Sequence, residues 1–463
     1  MALIYDVSFD SQTRILSLLD KAGNVVSSCE VPSKSNELKL TATKDNSSVA
    51  LTKVGTLSNT YEVNVGSGWT AYEFGTVIPL NAGESCKWRC SAHPTTQREF
   101  VYVKFVMTGT IEASGNCNSM LSSDFENITS LSGYNYTFNG LFYGCTSLTK
   151  APDLPATTLA QYCYLKMFSG CTSLAQSPEL PATTLATFCY GNMFQGCTSL
   201  TQAPSLPATT LSPSCYRQMF YGCASLIQAP ALPATTLAPL CYLQMFYGCT
   251  SLAQAPSLPA LLIPDSFLAG GSVFGCYVSM FEGCTSLVQA PALPATTLGK
   301  GCYVRMFYGC TSLVRAPELP ATTLPDVLNS AGGTSLPAFG CYSDMFGGCT
   351  ALVQAPALPA TTLGGACYGF MFYGCTSLVK APELPATTLT FYCYAGMFQG
   401  CTSLNEIRVS ATDISANRCT TNWTQGVSAT GDFYCNPNTT WTTGVLGIPS
   451  DWTRHDIADY PQT

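Results

Sequence analysis

The chain has 463 residues, of which only 10% are charged, with 27 acidic side chains against 20 basic ones. Neutralising a nucleic-acid backbone needs a clustered basic face, so the composition excludes that partner. No segment approaches 18 uninterrupted apolar residues, which excludes a membrane-inserted helix from the expectation. In chain order, residues 1–32 read first as a small β-hairpin unit, with strand candidates Ile4 to Phe9, Arg14 to Leu19 and Val25 to Val31. The opening residues lack the basic start and apolar run of a secretory signal. Residues 33–118 read as a small β-sandwich, with strands at Leu38 to Thr43, Tyr61 to Val65, Ala71 to Phe74, Cys86 to Cys90 and Phe100 to Met107. Cys86, Cys90 and His93 have a spacing that can ligate zinc. Cys86, Trp88 and Cys90 alternate, however, and on a strand they point together into a core, which is the preferred reading.

Residues 119–404 are filled by a repeat. Its Gly-Cys pair falls at Cys145, Cys171, Cys197, Cys223, Cys249, Cys284, Cys310, Cys349, Cys375 and Cys401, which makes ten units of 26 residues with two insertions, of nine and thirteen residues. Such a period means that units stack, because one alone cannot bury its apolar face. In the unit from Cys163 to Leu185, Cys163, Met167 and Cys171 recur every four residues with Tyr164 and Phe168 beside them, which predicts a short helix ending near Gly170. Leu174, Leu180 and Leu185, interrupted by Pro178 and Pro181, predict a short strand and an extended return. The fold class expected is therefore α+β: N-terminal β units, a leucine-rich-repeat solenoid with a strand and a helix in each unit, and a C-terminal cap over residues 405–463, where Trp423, Trp441 and Trp452 cluster.

The motif M-F-x-G-C-T-S-L-x-x-A-P resembles the BspA-type bacterial leucine-rich repeat, over about 260 residues. Proteins with such repeats are mostly surface adhesins and binding proteins, and similar arrays occur in gut Bacteroides and their phages. The resemblance implies a non-enzymatic phage virion component, a tail or head fibre or accessory protein, that displays its array for host recognition or adhesion. A bacterial cell-surface adhesin is the alternative, and a glycan-degrading enzyme a distant third. A surface-type repeat without a visible secretion signal favours the virion, whose parts are made in the host cytoplasm. The partners expected are other virion proteins through residues 1–32 and a host-surface glycan or protein, with a homo-oligomer left open.

Twenty of the 25 cysteines form two ladders eight residues apart, about 12 Å on a helix and too far for a disulfide, so buried free thiols are expected. With two histidines and no nucleophile motif around either, no catalytic residue, cofactor or metal is assigned. Lys150, Gln176, Gln202, Gln228, Gln254, Gln289, Arg315, Gln354 and Lys380 form a row whose amides either bond along the stack or offer a polar stripe to a glycan. A second ladder, Tyr143, Tyr221, Tyr247, Tyr308 and Tyr373, reads as edge packing or a sugar platform. Both insertions begin Pro-Asp at the same point of the unit and would project from one edge as paired flaps, or as tolerated loops. On these grounds the ligand-facing positions are Gln254, Asp265, Phe267, Gln289, Arg315, Asp326 and Asn329.

Overall fold

Each unit has to satisfy its backbone donors and acceptors while turning Cys, Tyr, Met and Phe toward one core. A computed structural model describes residues 6–10, 15–19, 22–23, 25–30, 36–57, 59–91, 101–122, 124–265, 275–326 and 340–460. The chain begins with an antiparallel meander of β1 (Asp6–Asp10), β2 (Ile15–Leu19) and β3 (Val25–Glu30). Two sheets follow, built from β4 (Leu38–Ala42), β5 (Ser47–Val54), β6 (Tyr61–Asn64), β7 (Trp69–Tyr72), β8 (Ile78–Leu80), β9 (Ser85–Cys90), β10 (Tyr102–Thr108) and β11 (Ile111–Ser114). One sheet has the order β10-β5-β8. The other runs β12-β11-β4-β9-β6-β7, where β12 (Leu148–Lys150) belongs to the first repeat.

Alternation decides what these strands bury. Leu38, Leu40 and Ala42 of β4 and Cys86, Trp88 and Cys90 of β9 face inward, and Trp88 meets Tyr72 and Phe105 edge-on at 4.7 and 5.2 Å. His93 lies outside the described residues. The sandwich runs directly into the array: β11 pairs in parallel with β12, the Phe105 N–H donates to the Leu141 carbonyl at 2.8 Å, and the Phe105 ring stacks on Phe142 at 5.3 Å. One hydrophobic core extends from Leu38 to Trp452.

The helix expected in each unit is absent. Cys163, Tyr164, Met167, Phe168 and Cys171 do face the core, but from a ribbon of overlapping turns. Within the unit, the N–H groups of Leu165, Met167, Ser169 and Cys171 donate to the carbonyls three residues back, at 3.0–3.2 Å. The alternate N–H groups, of Tyr164, Lys166, Phe168 and Gly170, donate to Cys189, Gly191, Met193 and Gln195 of the next unit, at 2.7–3.0 Å. Such a path needs a positive φ at every fourth residue, and Tyr162 (58°), Lys166 (54°) and Gly170 (76°) supply it. A non-glycine residue there costs about 1 kcal/mol or more, which the bonds between units offset.

The chain is therefore not an α+β protein, nor a leucine-rich-repeat solenoid with a strand and a helix in each unit. Among the described residues its helical content is three short 3-10 segments, at Cys117–Met120, Phe125–Asn127 and Ile457–Asp459. The expected strand is also reduced. After β12, the row from Gln176 to Gln354 is joined unit to unit by single parallel bridges. Stacked rings fill the interior in two columns, one from Phe142 to Phe398 and one from Tyr164 to Tyr394, and both end on fully buried Trp423. Trp441 stacks on Trp423 at 5.4 Å, and a parallel sheet of β13 (Glu406–Val409), β14 (Asp432–Cys435) and β15 (Thr453–Asp456) closes the array.

Candidate functional site

A strict 26-residue register sets equivalent side chains above one another, so any exposed position becomes a row. The row from Lys150 to Gln354 is exposed and continues through Lys380 to Glu406 at the start of β13 and, beside it, Asp432 of β14. Gln254, Gln289 and Arg315 stand in it. Between the seventh and eighth units the row borders a groove of about 500 Å³, lined by Arg315, Glu318, Gln354 and the prolines Pro317, Pro320 and Pro356. Arg315 and Glu318 are both exposed, and neither has an ion-pair partner among the described residues.

Asp265 and Asp326, chosen as ligand-facing, have backbone roles. Each follows the proline that opens an insertion and accepts an N–H from the next unit: Asp265 from Lys300 at 2.8 Å and Asp326 from Gly365 at 3.2 Å. Both insertions also close alike. A Cβ at Gly275 or Gly340 would overlap the backbone of Cys302 or Cys367. The two insertions thus leave and rejoin the stack at matching points. Phe267 and Asn329 lie outside the described residues.

Amide bonding along the stack occurs on a different ladder from the Gln176 row: Asn192 donates to Gln218 at 2.8 Å, and Gln218 to Gln244 at 2.6 Å. In the tyrosine ladder one adjacent pair packs face to face, Tyr221 on Tyr247 at 4.5 Å with an interplanar angle of 1°, while Tyr143 lies under Lys104 and Tyr373 meets Phe370 edge-on. Tyr221 and Tyr247 thus each spend one face on the other, and Tyr143 and Tyr373 stay partly exposed. Beside the ladder, Arg305 lies over Tyr308 and 3.8 Å from Asp344. Burial pushes the Asp344 carboxyl up to about 6, against the pull of Arg305.

Sequence reasoning missed a charged cluster at the C-terminal end of the row. Lys380 pairs with Glu406 at 3.0 Å, Arg408 with Glu383 at 3.4 Å and His455 with Asp432 at 2.7 Å, and Tyr460 donates its hydroxyl to Glu406 at 2.7 Å. The only signal available was that charges are rare in this chain and gather here.

The Gly-Cys thiols have a defined task. Cys171 donates to the Phe142 carbonyl of the preceding unit at 3.1 Å, and Cys197, Cys223, Cys249, Cys284, Cys310, Cys349, Cys375 and Cys401 repeat the bond at 3.0–3.1 Å. Burial pushes these thiols up, Cys197 and Cys284 to about 12, so they stay protonated and unreactive. Native protein is expected to resist alkylation at these cysteines, and denatured protein without reductant to be alkylated at them all. Mass-spectrometric counting that finds most of them blocked before denaturation, or disulfide-linked after it, would contradict this. Among the described residues no group of three or more His, Cys, Asp or Glu is placed to hold a metal ion. No family model, curated protein or solved structure is significantly similar to this chain.

Proposed function

We propose that this chain is a non-enzymatic recognition component that displays its array to a host surface, for recognition or adhesion, as part of a phage particle. The observation that carries the reading is the exposed row: one surface position repeated unit after unit on a rigid stack, with a groove beside Arg315 and Gln354. Repetition of that kind suits extended contact with a partner. The resemblance of M-F-x-G-C-T-S-L to BspA-type surface repeats points the same way. A bacterial surface adhesin would use the same row. The thiol-to-carbonyl bonds need reduced side chains, which suits a chain that folds in a reducing compartment before it joins a particle.

Proteomics of purified virions is expected to find the polypeptide, and purified protein to adhere to host cells without shortening their capsular polysaccharide. A variant lacking residues 1–30 is expected to adhere but no longer to join particles, since the β1–β3 meander is the segment assigned to attachment. Recovery of the chain in the host envelope alone would replace the virion reading with the adhesin.

A further inference from the structure

The row is neutral through most of the array, glutamine followed three residues later by Ser or Ala, as in Gln228 with Ala231 and Gln289 with Ala292. The first unit departs from this with Lys150 and Asp153, the second with Glu179, the seventh with Arg315 and Glu318, and the ninth with Lys380 and Glu383. The ninth unit's pair is met within the molecule. The next segment, β13, sets Glu406 against Lys380 at 3.0 Å and Arg408 against Glu383 at 3.4 Å. A base and an acid three residues apart are thus answered by an extended segment with an acid and a base two residues apart. The seventh unit presents the same pattern to Gln354 and Ala357, which cannot answer it, and there the groove opens.

An apolar stripe runs beside the groove. Val288, Val314 and Val353, each one residue before the row, are 53%, 38% and 52% exposed. Exposed β-branched side chains offer nothing to sugar hydroxyls, whereas a peptide can cover them with an apolar side chain on the same face as its charges. We infer that the groove between the seventh and eighth units binds an extended peptide segment of a partner protein, one whose same-face side chains run apolar, acidic, basic. The acidic group sits on the Arg315 guanidinium, the basic group on the Glu318 carboxylate, and the apolar side chain on Val314 and its neighbours. This rests on the recognition reading above and names the class of ligand.

The test uses the full chain and a fluorescent probe, Ser-Val-Ser-Glu-Ser-Arg-Ser, read by polarisation. Arg315→Gln and Glu318→Ala install the residues that units six and eight already carry, so the fold is retained, and each is expected to weaken binding about fivefold. A probe with Glu and Arg exchanged is expected to bind the natural chain about fivefold more weakly, and to recover on an Arg315→Glu/Glu318→Arg chain. Equal binding of the two probes, or no binding of either, overturns the inference. So does capture of an anionic glycan that Arg315→Gln abolishes, although that result leaves the recognition reading in place. Failure of the recognition reading shows separately, as absence from virions together with no adherence to host cells.

Discussion

Phe246→Ala is expected to lower the free energy of unfolding by about 4 kcal/mol, the range for emptying a fully buried aromatic site. Phe246 has no exposed surface and stacks on Phe220 at 5.6 Å and Phe281 at 5.5 Å. Its carbonyl also accepts the Cys249 N–H at 3.1 Å and the Cys284 thiol at 3.1 Å. Units in a stack are held by their neighbours, so the loss falls on one interface and separates the halves on either side of it. Urea titration followed by far-ultraviolet circular dichroism, and by the fluorescence of Trp69 and Trp88 in the sandwich and of Trp423, Trp441 and Trp452 at the closing end, should give two separated transitions where the natural chain gives one. A single transition, shifted by less than about 1 kcal/mol, would show that the ring column is not a principal source of cohesion.

Gly275→Ala is expected to cost about 3 kcal/mol, the upper range for overpacking, because the added carbon meets the Cys302 backbone, which cannot swing aside as a side chain can. Gly248→Ala is the control. Its φ of 69° is left-handed, but the nearest atom to an added Cβ is the Gly222 Cα at 3.8 Å, an ordinary contact. There only the backbone preference is lost, about 1 kcal/mol. Thermal denaturation of the two variants should rank them in that order. A reversed ranking would mean that the left-handed turn, and not the close approach at the insertion, limits stability.

The stacking register and the inward residues were legible, because ten near-copies fix which positions repeat and their composition fixes which are apolar. The secondary structure was not. Cys163, Met167 and Cys171 at four-residue spacing fit a short helix, since four residues advance 400° at 100° each and two such steps drift only about 80°. What separates turn ribbon from helix is the left-handed residue before each inward pair, and its identity carries no signal: Tyr162, Phe188, Ser214 and Leu240 occupy the same place with φ of 54–59°. Hydrogen bonds between units hold them there, and one unit read alone does not display those bonds. Asp265 and Asp326 stand out because Pro-Asp opens a loop, and what one unit alone does not display is that each also accepts an N–H, 35 and 39 residues further along. The charged cluster around Glu406, Asp432 and His455 lies where the repeat decays, so register could not align it with the row.

The alternation of turn bonds and bonds between units gives the array an electrical direction. The peptide joining Cys189 to Tyr190 accepts from Tyr164 of the unit before and donates to Cys215 of the unit after, and the peptides after Gly191, Met193 and Gln195 do the same. In an ordinary strand successive peptides oppose one another and little dipole remains. Here the intervening peptides bond within their own turn, so four aligned columns of peptide dipoles run from unit to unit without cancelling. The N–H groups point toward the C-terminal end, which becomes the positive pole, the reverse of an α-helix. The β-sandwich and the closing sheet of β13, β14 and β15 therefore stand over poles of opposite sign.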